Sequence, residues 1–115
     1  MSEPCGVVGA PDPFADAPAP DAALLDRTAA WLGVVAHPAR ICVLWVLARE
    51  GPLTAGELQE RVGIEASALS HHLRLMRDAR LVQSEPRGRH RVYRLDDPHV
   101  AHIVNDALKH VAESD

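Results

Sequence analysis

His99 and His110 stand eleven residues apart near the end of the chain, with Asp97 two residues before the first and Glu113 three after the second. Imidazole nitrogens and carboxylate oxygens are donors that zinc accepts, so the four residues form a candidate ligand set. On an α-helix eleven residues turn through ~1100°, three full turns plus ~20°, so both histidines share a face. They are also ~16 Å apart along the axis, and bonds of ~2 Å cannot bring both onto one ion. One chain therefore cannot close the site. Two copies of the helix packed antiparallel can, because His99 then lies beside the partner's His110 and Asp97 near the partner's Glu113. Each residue also has an ordinary reading. Asp97 can be an N-cap ahead of Pro98, and His110 a favourable cation near a helix C-terminus. Glu113 gains nothing from that dipole, which favours a ligand role. His102, one turn inward from His99, reads as a surface or interface histidine.

The second candidate chemistry is phosphate binding. The net charge of −4 divides into −5 over residues 1–65, +5 over 66–94 and −4 over 95–115. The middle segment holds seven arginines (74, 77, 80, 87, 89, 91 and 94) against Asp78 and Glu85. An acidic chain is a poor partner for nucleic acid, but a local basic stripe is what the phosphate backbone requires.

The elements that must carry these groups follow from period and punctuation. Residues 22–35 have helix-period apolar positions (Leu24, Leu25, Trp31, Leu32, Val35). "HPARICVLWVLARE" starts with Pro38 at a first helical position and stops at Gly51-Pro52; apolar residues cover most of its circumference, which predicts a central buried helix. "TAGELQERVG" predicts a short helix with Thr54 as N-cap, Glu57 closing a capping box and Gly63 as stop. "SALSHHLRLMRDARL" predicts a second, basic helix with Ala68, Leu69, Leu73 and Met76 on its apolar side. The pair is a helix-turn-helix candidate. "LVQSEPRGRHRVYRL" predicts a two-stranded hairpin turning at Pro86-Arg87-Gly88, and a closing helix starts at Asp97-Pro98. The fold expected is mainly α with a small β-hairpin: a winged helix-turn-helix that dimerises through its first and last helices.

In such a fold Ser67, Ser70, His71 and Arg74 lie on the polar side of the second helix and would read base edges, while Arg87, Arg89 and Arg91 on the wing would clamp phosphates. The partner expected is double-stranded operator DNA, not RNA, and two-fold protein symmetry calls for a palindromic site. An enzyme is not expected: Ser70 and His71 diverge by ~100° on a helix, and no phosphate-cradling glycine loop or nucleophile elbow occurs.

Residues 1–20 hold five of the nine prolines and no period, which predicts a disordered arm ahead of a domain over 21–115. The arm lacks the basic start and cleavage site of a signal peptide, and the longest apolar runs fall far short of the ~20 residues of a membrane span. A cytoplasmic protein without a membrane partner is expected. Cys5 and Cys42 form neither a disulfide framework nor a metal knuckle.

Taken together, "HPARICVLWVLA", "SALSHHLRLMRDARLV", the wing "GRHRVYRL" and the last helix resemble the ArsR/SmtB family of metal-responsive bacterial repressors over residues 22–113. The resemblance implies a homodimer that binds an operator and releases it on sensing an inducer. It implies an Asp-x-His-x10-His-x2-Glu metal pattern, matched here at Asp97, His99, His110 and Glu113. Two imidazoles and two carboxylates suit Zn(II), with Co(II) possible. Some relatives carry a cysteine-rich site before the recognition helix; Thr54 stands where its thiolate would be, which disfavours soft ions. In relatives a ligating histidine passes its second N–H to a backbone carbonyl just after the recognition helix, and the matching pair here is His110 and Arg80. The alternative is a regulator of the same fold that answers to a redox signal at Cys42; its place on an apolar helix argues against it, because buried thiols are usually inert.

Overall fold

The computed structural model describes residues 17–114. Its elements run α1 (Ala22–Val35), α2 (Pro38–Glu50), β1 (Leu53–Thr54), α3 (Ala55–Val62), α4 (Ala66–Asp78), β2 (Val82–Arg87), β3 (His90–Leu95) and α5 (Pro98–Ala112). Residues 17–20 carry no helix or strand, and the rest of the expected arm, Cys5 included, lies outside the described residues.

Local signals set the helix ends. Asp21 caps α1 by accepting the Leu24 amide at 2.8 Å. His37 caps α2 through Nδ1, with Pro38 in the first turn, and Gly51 ends it at φ 81°. The Thr54–Glu57 capping box on α3 is complete, and Gly63 closes that helix in the left-handed region. The end of α4 is less ordinary. The Leu81 amide donates back to the Met76 carbonyl and the Arg80 amide to that of Arg77. This is a Schellman closure, and its left-handed position is filled by Arg80 at φ 61° where glycine is usual.

The core is one cluster at the junction of α2, α3, α4 and the sheet: Val43, Leu44 and Leu47 of α2, Leu58 of α3, Leu69, Leu73 and Met76 of α4, and Val82 of β2. Ala68 is exposed, so it does not belong to the apolar side of α4 as expected. Nor is α2 buried all round: Trp45 is 40% exposed, with the Arg49 guanidinium 5.2 Å above its ring.

The sheet has three strands in the order β1-β3-β2, one more than the expected hairpin. Leu53 and Thr54 pair with Tyr93 and Val92 and fix the root of the wing to the helix-turn-helix. The wing turn is Gly88-Arg89, with Gly88 at φ 63°; Pro86 is not in the turn but on β2, opposite Arg91. An edge strand tolerates proline because its outward-facing positions need no ladder donor.

No residue of α1 is fully buried, and α5 buries only Val100 and Val104. Leu25 and Leu32 of α1 and Ile103, Leu108 and Val111 of α5 are left exposed at 39–66%. No single helix among the described residues is long and apolar enough to cross a membrane.

Candidate nucleic-acid interface and metal centre

The polar side of α4 presents Ser67, Ser70, His71 and Arg74, all exposed. Ser67 Oγ is occupied locally by the Glu65 carboxylate just ahead of the helix. Arg87, Arg89 and Arg91 are all exposed; Arg87 and Arg89 stand at the wing tip, while Arg91 donates to Ser84 Oγ from Nε at 3.2 Å and Nη2 at 3.1 Å. Arg77, at the end of α4, donates to the same oxygen at 3.2 Å. Arg94 pairs instead with Glu85 at 3.2 Å. In the sequence Arg77 belongs to the basic stripe with no task of its own and Ser84 carries no signal, since their meeting needs α4 and two strands packed together.

A second cluster lies behind the reading face. His72, half-buried on α4, accepts at Nδ1 from Arg40 Nε at 3.1 Å. Arg40 Nη1 donates to the Val34 carbonyl at 3.0 Å, so one guanidinium ties the end of α1 and the start of α2 to the middle of α4. The His37 ring lies 4.7 Å from the His72 ring, centre to centre, and that of His71 lies 6.0 Å away. Burial, followed by the charges of His37, Arg40 and His71, holds the His72 imidazole below the usual histidine range.

On α5 the four candidate ligands divide into two ends. Asp97 is the N-cap: its Oδ1 accepts the His99 amide at 2.8 Å and lies 3.2 Å from His99 Nδ1. His99 and His110 are exposed, and Glu113 is the C-cap residue. Among the described residues no three histidine, cysteine or acidic side chains of the one chain come together as a metal site. Asp97 and His99 instead form a two-donor pair at one end of α5, with His110 and Glu113 at the other.

Arg80 borders two open hollows, one against α1 and one against β2, and among the described residues its carbonyl accepts no hydrogen bond. Thr54 Oγ1 is committed to the Glu57 amide. Cys42 is a free, half-buried thiol in a shallow hollow with Pro38, Ile41, Trp45 and Leu108, more accessible than its apolar helix suggested.

Residues 35–85 match the family model described as a helix-turn-helix domain. The HTH-type transcriptional regulator NmtR of Mycobacterium tuberculosis is 42% identical over 84 residues, 73% of this chain and 69% of that protein. The HTH-type transcriptional repressor SmtB of the same organism is 36% identical over 106 residues, 89% of this chain and 78% of that protein. Among solved structures, the AntR antimony-specific transcriptional repressor superposes with a TM-score of 0.75 at 26% identity, over 90% of this chain and 94% of that one.

Proposed function

The chain belongs to the ArsR/SmtB family of winged-helix transcription regulators, and on that premise we propose that it is a metal-responsive repressor. Its metal-free homodimer holds a palindromic operator, and Zn(II) at the last-helix site causes release. The observation that carries the reading is the Asp97–His99 pair at one end of α5 with His110 and Glu113 three turns on. Each end is half of a ligand set, and an antiparallel partner supplies the other half.

The dimer reading has its own support. Leu25, Leu32, Ile103, Leu108 and Val111 leave an apolar face on α1 and α5, and burying it against a second copy enlarges a modest core. In that dimer, Asp97, His99, the partner's His110 and the partner's Glu113 would hold the ion with two imidazoles and two carboxylates. Bound there, the metal supplies a rigid link between the subunits. His110 passes its second N–H to the Arg80 carbonyl, which has an acceptor to spare, and the end of the recognition helix is fixed at a spacing that does not suit DNA. Ions that prefer thiolate are poorly served, because Thr54 offers a hydroxyl already engaged as a helix cap.

Operator binding measured with zinc, with a chelator and with an oxidant tests the proposal. Zinc should weaken binding, and DNA should weaken zinc binding by the same factor. An affinity indifferent to zinc but abolished by oxidation would replace the metal reading with one based on the accessible Cys42 thiol.

A further inference from the structure

Ser84 Oγ is the target of three N–H groups from two guanidiniums: Arg77 Nη1 at 3.2 Å, Arg91 Nε at 3.2 Å and Arg91 Nη2 at 3.1 Å. A hydroxyl oxygen has two acceptor lone pairs, so a single neutral atom faces more charged donors than it can satisfy. Arg61 and Arg94 each have a carboxylate within 3.2 Å. Among the described residues neither Arg77 nor Arg91 has one within ion-pair distance. The nearby Asp96 carboxylate already accepts from Gln83 at 3.0 Å. Two like charges are thus drawn together around a neutral oxygen, in the crease between the end of α4 and the inner face of the hairpin. Arg77 and Ser84 line an open hollow there of about 550 Å³.

We propose that Arg77, Ser84 and Arg91 form a seat for one backbone phosphate of bound duplex DNA. The inference rests on the DNA-binding reading and deepens it. The guanidinium fork matches phosphate oxygens in pairs, and Ser84 acts as a positioning hydroxyl that holds both forks at one spot before DNA arrives. A diester, rather than a free anion, fits the location: exposed Arg74 on α4 and exposed Arg87 and Arg89 on the wing flank the crease and continue the positive track. Arg77 thereby joins the recognition helix to the wing through one shared phosphate, and the two elements dock in a fixed relation.

The test is duplex binding by fluorescence anisotropy across a salt series, on DNA from the protein's own promoter, with melting curves for every variant. Each phosphate contact contributes about 0.9 to the salt slope. Arg77→Ala and Arg91→Ala should each lower it by up to about 0.9, and the double variant by no more than about 0.9 in total, because both serve one phosphate. Ser84→Asp places a carboxylate between the guanidiniums. It should melt no lower than the wild type and lose the same share of the slope, since the seat is filled from within. A double variant that loses about twice 0.9 would mean two separate contacts, and a Ser84→Asp protein that binds like the wild type would mean the cluster only braces the wing; either overturns the seat. So would inorganic phosphate alone shifting the Arg77 and Arg91 Nε resonances at micromolar concentration, the mark of a free-anion site. A wild-type protein without salt-dependent binding would overturn the DNA-binding reading itself.

Discussion

Arg40 Nε donates to His72 Nδ1 at 3.1 Å, and this bond exists only while the imidazole keeps that nitrogen unprotonated. The folded chain therefore prefers neutral His72, consistent with its lowered pKa, whose first cause is burial, reinforced by His37, Arg40 and His71. In the unfolded chain the same group takes a proton near the ordinary 6.5. Between the two values the unfolded state binds more protons, so stability rises with pH there. The His72 contribution is complete above about 6.5 and is lost as pH falls through the folded value. Melting temperature should drop as pH falls below about 6.5. His72→Gln, whose amide oxygen can still accept from Arg40, should flatten the drop; an unchanged acid limb would assign it to other groups.

Arg80 tests the helix end separately from the switch. A non-glycine residue in the left-handed region costs ~1–2 kcal/mol, and glycine returns ~0.4–1 kcal/mol of that through the freer unfolded chain. Arg80→Gly should thus stabilise the fold by about 0.5–1 kcal/mol in a denaturant titration. Because the proposed relay would use the backbone carbonyl, zinc should still release DNA from this variant. Loss of regulation would assign the side chain a part that the relay does not give it.

Asp97 is the N-cap of α5 and a proposed metal ligand, and substitution can separate the two. As N-cap it accepts the His99 amide, and Asp97→Ala should cost about 1 kcal/mol of stability without metal. Asn caps a helix as well as Asp does, so Asp97→Asn should leave the metal-free melting curve unchanged. The same variant should bind zinc more weakly by titration, having lost a charged ligand. Equal zinc affinity in Asp97→Asn and wild type would remove Asp97 from the ligand set.

The apolar face on α1 and α5 makes a prediction about assembly. Leu25→Glu and Ile103→Glu place charge where the subunits would meet. Each should sediment as a monomer and bind its operator weakly, while the buried cluster centred on Leu44 and Leu73 keeps the winged helix folded. Variants that remain dimeric would move the interface elsewhere.

Those features that depend on a few neighbouring residues were legible in the sequence. The Thr54–Glu57 box, Pro38 at the start of α2 and the glycines at 51 and 63 set helix ends within one turn, and all act where expected. Strand β1 was not legible: two residues have no period, and Leu53 becomes a strand only because Tyr93, forty positions on, lies alongside. Pro86 misled for a related reason, since it marks a turn unless an edge strand accommodates it. Arg80 gave no hint of its backbone, because the usual glycine or asparagine is missing. The exposed faces of α4 and α5 could be read from spacing. The convergence of Arg77, Ser84 and Arg91 could not, because it exists only after three elements have packed.

Pro86 also bears on how the protein behaves in a crowd. Strand β2 is an edge, and an open edge is a template for another chain's strand. Ladder rungs alternate between hydrogen-bonded and unbonded pairs, and Arg87 with His90 closes the two-residue turn. The next rung, Pro86 opposite Arg91, then directs the proline nitrogen outward, where it has no hydrogen to offer. With charged Glu85 and Arg87 on either side, the rim of the wing resists zipping against a second wing. Copies brought close together are therefore guarded against growing into an aggregate through that edge.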